Sequence, residues 1–294
     1  MTESLREKQS AALTSLLAAV GLTAFKVVVG VLTSSLGILA EAAHSGLDLA
    51  AAGLTYFAVR LSGRPPDATH LYGHGKFENL SALAETLLLL ITCGWIAREA
   101  VLRLLHHTVA IEVTMWSFAV MATSIVIDVS RSRVLSRAAR KFHSQALEAD
   151  ALHFQTDVWS SAVVVLGLLA VKAGDWWPPL ALLRNGDAVA ALGVSILVVW
   201  VSLQLGRRTV DALLDTAPAG MEQRIGAAVE GIEGVRDCHN VRIRYSGPIL
   251  FIDLHVLVDG AQTLAQAHEL TETIESVIQE IAPRADVTVH PEPF

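Results

Sequence analysis

Charge is scarce in this 294-residue chain: Asp, Glu, Lys and Arg make up 17% of it, and cysteine occurs only twice. Low charge, 52% hydrophobic residues and a mean hydropathy of +0.48 exclude a disordered protein and argue against an ordinary soluble globule. Cys93 and Cys238 are far apart and form no C-x-x-C pair, so neither a disulfide scaffold nor a zinc ribbon organises the fold. Basic residues are not in excess either. A formal net charge of -7 argues against a nucleic-acid partner, since binding phosphates needs a basic face. What remains is a membrane protein with room for one soluble domain.

Six stretches are long and apolar enough to cross the bilayer core, which takes about 20 residues per helix. They are Ala11–Thr33, Leu36–Leu61, Leu80–Leu102, Val113–Val129, Ala146–Val171 and Ala188–Gly206. The polar start runs into a full-length span without a cleavage-type site, so no signal peptide is read. Lys and Arg then set the orientation. Arg6 and Lys8 precede span one; Arg60, Arg64 and Lys76 lie between spans two and three. Arg131, Arg133, Arg137, Arg140 and Lys141 lie in the connection between spans four and five, and Arg207 and Arg208 follow span six. The opposite side has only Arg98, Arg103, Lys172 and Arg184. Both termini are therefore expected in the cytoplasm, with the compact loops fitting a bacterial inner membrane. Trp176 and Trp177 belong to the outer aromatic belt, and Trp159 to the packing.

After Arg208 the composition becomes charged and amphipathic. Glu222–Ile232 reads as a helix, Asn240–Tyr245 and Leu250–Val258 as strands around a Ser246-Gly247-Pro248 turn, Leu264–Ile281 as a helix and Asp286–His290 as a strand. The expected fold is an all-α six-helix transmembrane domain over residues 1–208. A cytoplasmic α+β domain, αββαβ and ferredoxin-like, follows over 209–294.

One pattern occurs twice. Ala40-Glu41-Ala42-Ala43-His44-Ser45-Gly46-Leu47-Asp48 and Ala149-Asp150-Ala151-Leu152-His153-Phe154-Gln155-Thr156-Asp157 both read A-[E/D]-A-x-H-x-x-x-D. Positions i and i+4 share a helix face, so each helix offers one imidazole and one carboxylate in the same direction. A single pair could simply be an interhelical hydrogen bond. Two matching pairs favour metal, because ionisable groups in lipid cost about 3 kcal/mol each on insertion scales. Together they give two nitrogens and two oxygens, a closed tetrahedral set suited to Zn²⁺ and tolerable for Fe²⁺, Co²⁺, Cd²⁺ or Mn²⁺. Glu41 and Asp150, three residues before each His, could support the ligands, accept protons, or solvate a helix end. Lys26 reads as a packing counter-ion, and Lys26, Glu85 and Asp128 receive no transport role.

Six spans, the doubled H-x-x-x-D and a cytoplasmic αββαβ domain together resemble the cation diffusion facilitator family. Asp157-Val158-Trp159-Ser160-Ser161 and the residues before it are similar to the family's fifth-span signature, and His70-Leu71-Tyr72-Gly73-His74-Gly75-Lys76-Phe77-Glu78 to its loop after span two. The resemblance covers nearly the whole chain. It implies a homodimeric exporter of divalent metal driven by protons moving the other way, and His44 with His153 matches its zinc-type members.

The resemblance also implies further sites. Asp67, His70 and His74, otherwise polar loop residues, occupy the positions of a secondary metal site. His239, His255, His268, His290 and Glu292 fall where members place ligands of a cytoplasmic cluster near the dimer interface. Asp253 shares the face of His255, members often have Asp in place of Glu292, and Cys238 reads as a residue packed beneath the sheet. Lys76 and Asp211 resemble a pair that holds dimers together, a role that needs shielding because exposed ion pairs are weak.

Protonated imidazole and carboxylate do not bind metal, so metal and protons compete for His44, Asp48, His153 and Asp157. The imidazoles are the expected proton carriers, since an unperturbed one titrates near pH ~6.5. An intramembrane hydrolase would need an open coordination position and a separate base, and the chain has no H-E-x-x-H. A membrane metal sensor that does not transport could dispense with the intramembrane ligands.

Overall fold

The computed structural model describes residues 3–106, 115–176, 186–283 and 285–294. Six long helices come first: α1 Glu3–Thr33, α2 Leu36–Ser62, α3 Lys76–His106, α4 Met115–Phe142, α5 Gln145–Trp176 and α6 Gly186–Leu213. They are 27 to 32 residues long, or about 40–48 Å, which exceeds the ~30 Å hydrocarbon core. Leu17, Val31, Leu32, Phe57, Ile91, Trp95, Ile196 and Trp200 point outward from them. So much exposed apolar surface suits hydrocarbon rather than water as the solvent.

Small residues hold the bundle together. Ala11, Ala12 and Ala19 of α1, Ala52 of α2, Ala138 and Ala139 of α4 and Ala146 and Ala151 of α5 share one core with Val59, Leu135, Leu147 and Phe154. With no hydrophobic drive between helices in lipid, close backbone approach and van der Waals contact carry the association.

Three expectations are corrected. The basic stretch after span four is not a loop, because α4 continues through it to Phe142. Leu135, Ala138, Ala139 and Phe142 keep a buried stripe there, while Arg133, Arg137, Arg140 and Lys141 face outward. Trp159 is 53% exposed on α5, so it stands at the bundle surface rather than in its interior packing. The first strand starts five residues early: β1 runs Val235–Ser246, and a bulge between His239 and Arg242, with Asn240 at φ 51°, breaks the alternation that would have revealed it. The outer-side residues Arg103, Lys172, Trp176, Trp177 and Arg184 lie outside the side chains described.

The C-terminal part continues as α7 Met221–Glu230, β1, β2 Ile249–Val258, α8 Leu264–Ile281 and β3 Asp286–Pro293. Gly231 caps α7 one residue before the expected end, and Thr263 with Gln266 forms a capping box on α8. The sheet has the order β1-β2-β3, antiparallel between β1 and β2 and parallel between β2 and β3. Both helices cover one face. Leu250, Ile252, Leu254, Val256 and Val258 of β2 point into a core with Ile225 and Val229 of α7 and Ile274 and Ile278 of α8. Phe251, Asp253, His255 and Leu257 are left on the open face.

The two parts meet where the β1–β2 turn touches the start of α3. A Cβ on Gly75 would lie 2.2 Å from the Ser246 carbonyl oxygen, and one on Gly247 2.6 Å from that of Gly75, so only glycines allow this approach. The Gly247 N–H donates to Asn79 Oδ1 at 3.1 Å, and Asn79 Nδ2 donates to Gln145 Oε1 of α5 at 2.8 Å. Arg244 stacks over Tyr72 at 4.0 Å, and Tyr72 meets Phe251 edge-on at 5.5 Å.

Candidate metal centre

α2 and α5 pack so that their repeated motifs face each other. His153 Nε2 is 3.1 Å from Asp48 Oδ1 and 3.7 Å from Asp157 Oδ2, and His44 Nε2 is 3.9 Å from an oxygen of each Asp. Ligand atoms around a tetrahedral Zn²⁺ sit about 3.3 Å apart, given bonds of ~2.0–2.1 Å. His44, Asp48 and Asp157 offer ligand atoms that all lie within 4.8 Å of one another, and His153 adjoins this group through the two Asp carboxylates. His153 and Asp48 are 3% and 9% exposed, whereas the His44 side chain is 42% exposed and forms the accessible edge. Asp157 Oδ2 is buried without a hydrogen-bond donor among the described residues, an acceptor that a cation would satisfy.

The surroundings were only partly foreseeable. Lys26 of α1 bonds Ser45 Oγ at 2.7 Å and pairs with Glu41 at 3.3 Å, the counter-ion role read from the sequence. Glu41 is half open to the surface, but Asp150 is fully buried and accepts from Ser15 at 3.3 Å, so Asp150 is not solvating a helix end. Arg131, read as a loop residue, is buried over the Phe154 ring at 3.4 Å and donates to Ser15. At one end of the bundle Glu78 accepts from Lys8, Ser62 and Ser144, tying α1, α2 and α5 to α3.

Asp67, His70 and His74 also come together. Asp67 lies 3.4 Å from His70 Nδ1 and 3.3 Å from His74 Nε2, and the imidazole centroids are 4.4 Å apart. Backbone N–H groups of Thr69 and His70 donate to Asp67 Oδ1, which holds its carboxyl well below the usual carboxylate range. His74 is buried, and its Nδ1 has no hydrogen-bond partner among the described residues.

On the sheet, His239, His255 and His290 are register partners across all three strands, on the face the helices leave open. Glu292 reaches all three, at 2.8 Å from His255 Nδ1, 3.4 Å from His239 Nε2 and 3.7 Å from His290 Nε2. The imidazoles around it, His255 foremost, hold the Glu292 carboxyl below its ordinary value. Asp237 was missed. At i−2 on the same strand it engages His239 Nδ1 at 2.8 Å and leaves Nε2 aimed at Glu292, the usual orienting role of a carboxylate on a ligating imidazole. Its signal, D-x-H on a strand, was hidden by the bulge. Cys238 packs toward the core, where burial pushes its thiol up to about 11, away from the thiolate a metal requires.

Two expected members stand elsewhere. His268 is 72% exposed on α8 beside Glu272, because α8 covers the face of the sheet opposite the histidine row. Lys76 pairs within the chain with Asp215 at 2.8 Å, not with Asp211, whose neighbour is Arg207 at 4.0 Å. Asp215, at φ 58° past the end of α6, turns back toward Lys76, while Asp211 stays on the helix surface.

Comparison with known proteins gives two family matches: the cation efflux transmembrane domain over residues 12–214 and the cation efflux protein cytoplasmic domain over 217–294. The chain is 33% identical to the cation-efflux pump FieF of Pectobacterium atrosepticum over 293 residues, covering 94% of this chain and 92% of the relative. The same pump of Serratia proteamaculans is 34% identical over 292 residues, covering 97% and 92%. Among solved structures, a MamM CTD is 32% identical over 25% of this chain and 94% of its own, at a TM-score of 0.24.

Proposed function

The chain belongs to the cation efflux family, the cation diffusion facilitators, and from that premise we propose that it exports divalent metal, foremost Zn²⁺, from the cytoplasm in exchange for protons. The observation that carries this reading is the meeting of one imidazole and one carboxylate from α2 with the same pair from α5. His44, Asp48, His153 and Asp157 hold the cargo, and their protonated forms release it. Open to the cytoplasm, the site loses protons and loads metal. Open to a more acidic exterior, it is protonated and unloads. Rocking of the helices around the fixed site gives alternating access.

In this reading residues 1–208 are the transport domain and 209–294 a metal-binding and dimerisation domain of a homodimer in the bacterial inner membrane. The contact of the β1–β2 turn with Gly75 supports placing the α2–α3 loop and the C-terminal domain on one side, with both termini cytoplasmic. Asp67, His70 and His74 form a weaker loop site, and His239, His255, His290 and Glu292 a cytoplasmic site that senses metal and draws protomers together. Lys76 with Asp211 remains a candidate pair between protomers. The mixed N/O donor set also takes Fe²⁺, which would change the cargo but not the exchange.

The test is purified protein in liposomes with a metal-sensitive dye inside, comparing Zn²⁺, Fe²⁺, Mn²⁺ and Cd²⁺ with and without a pH gradient. Gradient-dependent Zn²⁺ uptake is expected. Uptake indifferent to the gradient would overturn the exchange.

A further inference from the structure

The paired motifs are not equally enclosed on their two sides. Ser62 at the end of α2 and Gln145 at the start of α5 meet Glu78 and Asn79, beside the turn of the C-terminal domain. His44 and Asp157 therefore lie about one turn farther from that domain than Asp48 and His153 do. On this far side the His44 side chain is 42% exposed. On the near side α1, α2, α4 and α5 close into one apolar core that includes Ala11, Val59, Phe142 and Phe154.

A cation is built in where that core meets the site. Arg131 of α4 is 5% exposed, and its guanidinium lies 3.4 Å from the centre of the Phe154 ring. Nε and Nη2 both donate to Ser15 Oγ of α1 at 3.2 Å, and Nη1 donates to Asp128 Oδ1 at 3.3 Å. The Ser15 hydroxyl in turn donates to Asp150 of α5 at 3.3 Å, one turn to the near side of His153. Phe154 meets the His153 imidazole edge-on at 5.4 Å. One aromatic ring thus separates a pinned positive charge from a residue of the transport site. An arginine inside a membrane bundle is costly and marks a function by default. A cavity of about 210 Å³ between α1 and α4, lined in part by Thr14, Ser15, Ser130 and Arg131, adjoins the guanidinium and gives it room to withdraw.

We propose that Arg131 gates the transport site on the side of the C-terminal domain, a positive charge that bars a metal ion from passing there while the far edge is open. The inference rests on the transport reading above. A guanidinium repels a dication strongly in a low-dielectric interior, so the closure is electrostatic as well as steric. With α1, α4 and α5 together, Ser15 and Phe154 hold the charge beside the way to His153. When the helices part on the near side, the Ser15 bonds break and Arg131 withdraws into the cavity with Asp128 as its partner.

The test uses full-length protein in liposomes with a Zn²⁺-sensitive dye inside, given a Zn²⁺ gradient but no pH gradient. R131Q removes the charge, and its passive Zn²⁺ flux should rise about tenfold over wild type while Zn²⁺ affinity by calorimetry stays within about threefold. R131K keeps the charge and should leak no more than about twofold above wild type. S15A leaves every charge in place but cuts the two bonds that pin the guanidinium. Its leak, expected at about threefold, decides the matter where R131Q folds poorly. Variants as tight as wild type, or a loss of affinity without a leak, overturn the gate and leave Arg131 a structural counter-ion. A leak in R131K equal to that of R131Q also overturns it, since charge would then not be the barrier. A wild type that takes up Zn²⁺ under a pH gradient, with tight variants, defeats the gate alone. A wild type without such uptake defeats the exchange and the gate with it.

Discussion

The intramembrane site and the histidine row on the sheet use the same donors, imidazole and carboxylate, in opposite surroundings. His153 and Asp48 are sealed between helices, and the motif spacing of α2 and α5 brings the groups into one pocket. His239, His255, His290 and Glu292 stand half open on one sheet face, brought together by strand register. A pocket between helices with one accessible edge at His44 suits a cargo that enters and leaves as the helices move. An open row equilibrates with whatever metal the surrounding water holds, so it suits a reporter. In the proposed reading identical ligand chemistry serves two tasks, and solvent access separates them.

Substitutions can break that contrast or sharpen it. The largest effect is expected from Asp157→Ala, which opens the closed set: metal uptake in liposomes should fall about 100-fold or more, with metal binding on the soluble domain intact. Transport that survives would place the cargo elsewhere. His255→Ala combined with His290→Ala should raise the metal concentration for half-maximal transport about tenfold, with the maximal rate within about twofold. An unchanged dose response would remove the sensing role. Asn79→Ala takes away two hydrogen bonds where the two regions touch, and amide exchange at Gly247 should become easier by about 1–3 kcal/mol. Equal protection would mean that the glycine contact alone holds the turn.

The smallest effect is one of pH. Because its folded pKa is lowered, Glu292 contributes stability that is present above its unfolded value and lost only as pH falls through the lowered one. Its contacts with His255 and His239 should therefore persist at pH 5 and loosen only below about pH 4, near the free-glutamate value. A carboxyl resonance of Glu292 titrating at or above that value would contradict the geometry.

Much of this was legible beforehand. The doubled H-x-x-x-D reads directly because helical periodicity fixes which residues share a face, and α8 runs over Leu264–Ile281 as its apolar stripe requires. Arg131 was misplaced because a basic run looks like a loop until Leu135 and Phe142 are seen to be buried. Asp237 was missed because a bulge shifts the alternation around it.

The sequence by itself determined the six apolar helices, the αββαβ order after them and the pairing of imidazole with carboxylate on α2 and α5, because hydropathy and the 3.6-residue period are local properties. Tertiary structure decided which imidazoles share Glu292, why His268 stands apart and which acid Lys76 meets. Those contacts join residues far apart in the chain, and they depend on register, bulges and helix packing that no local pattern records.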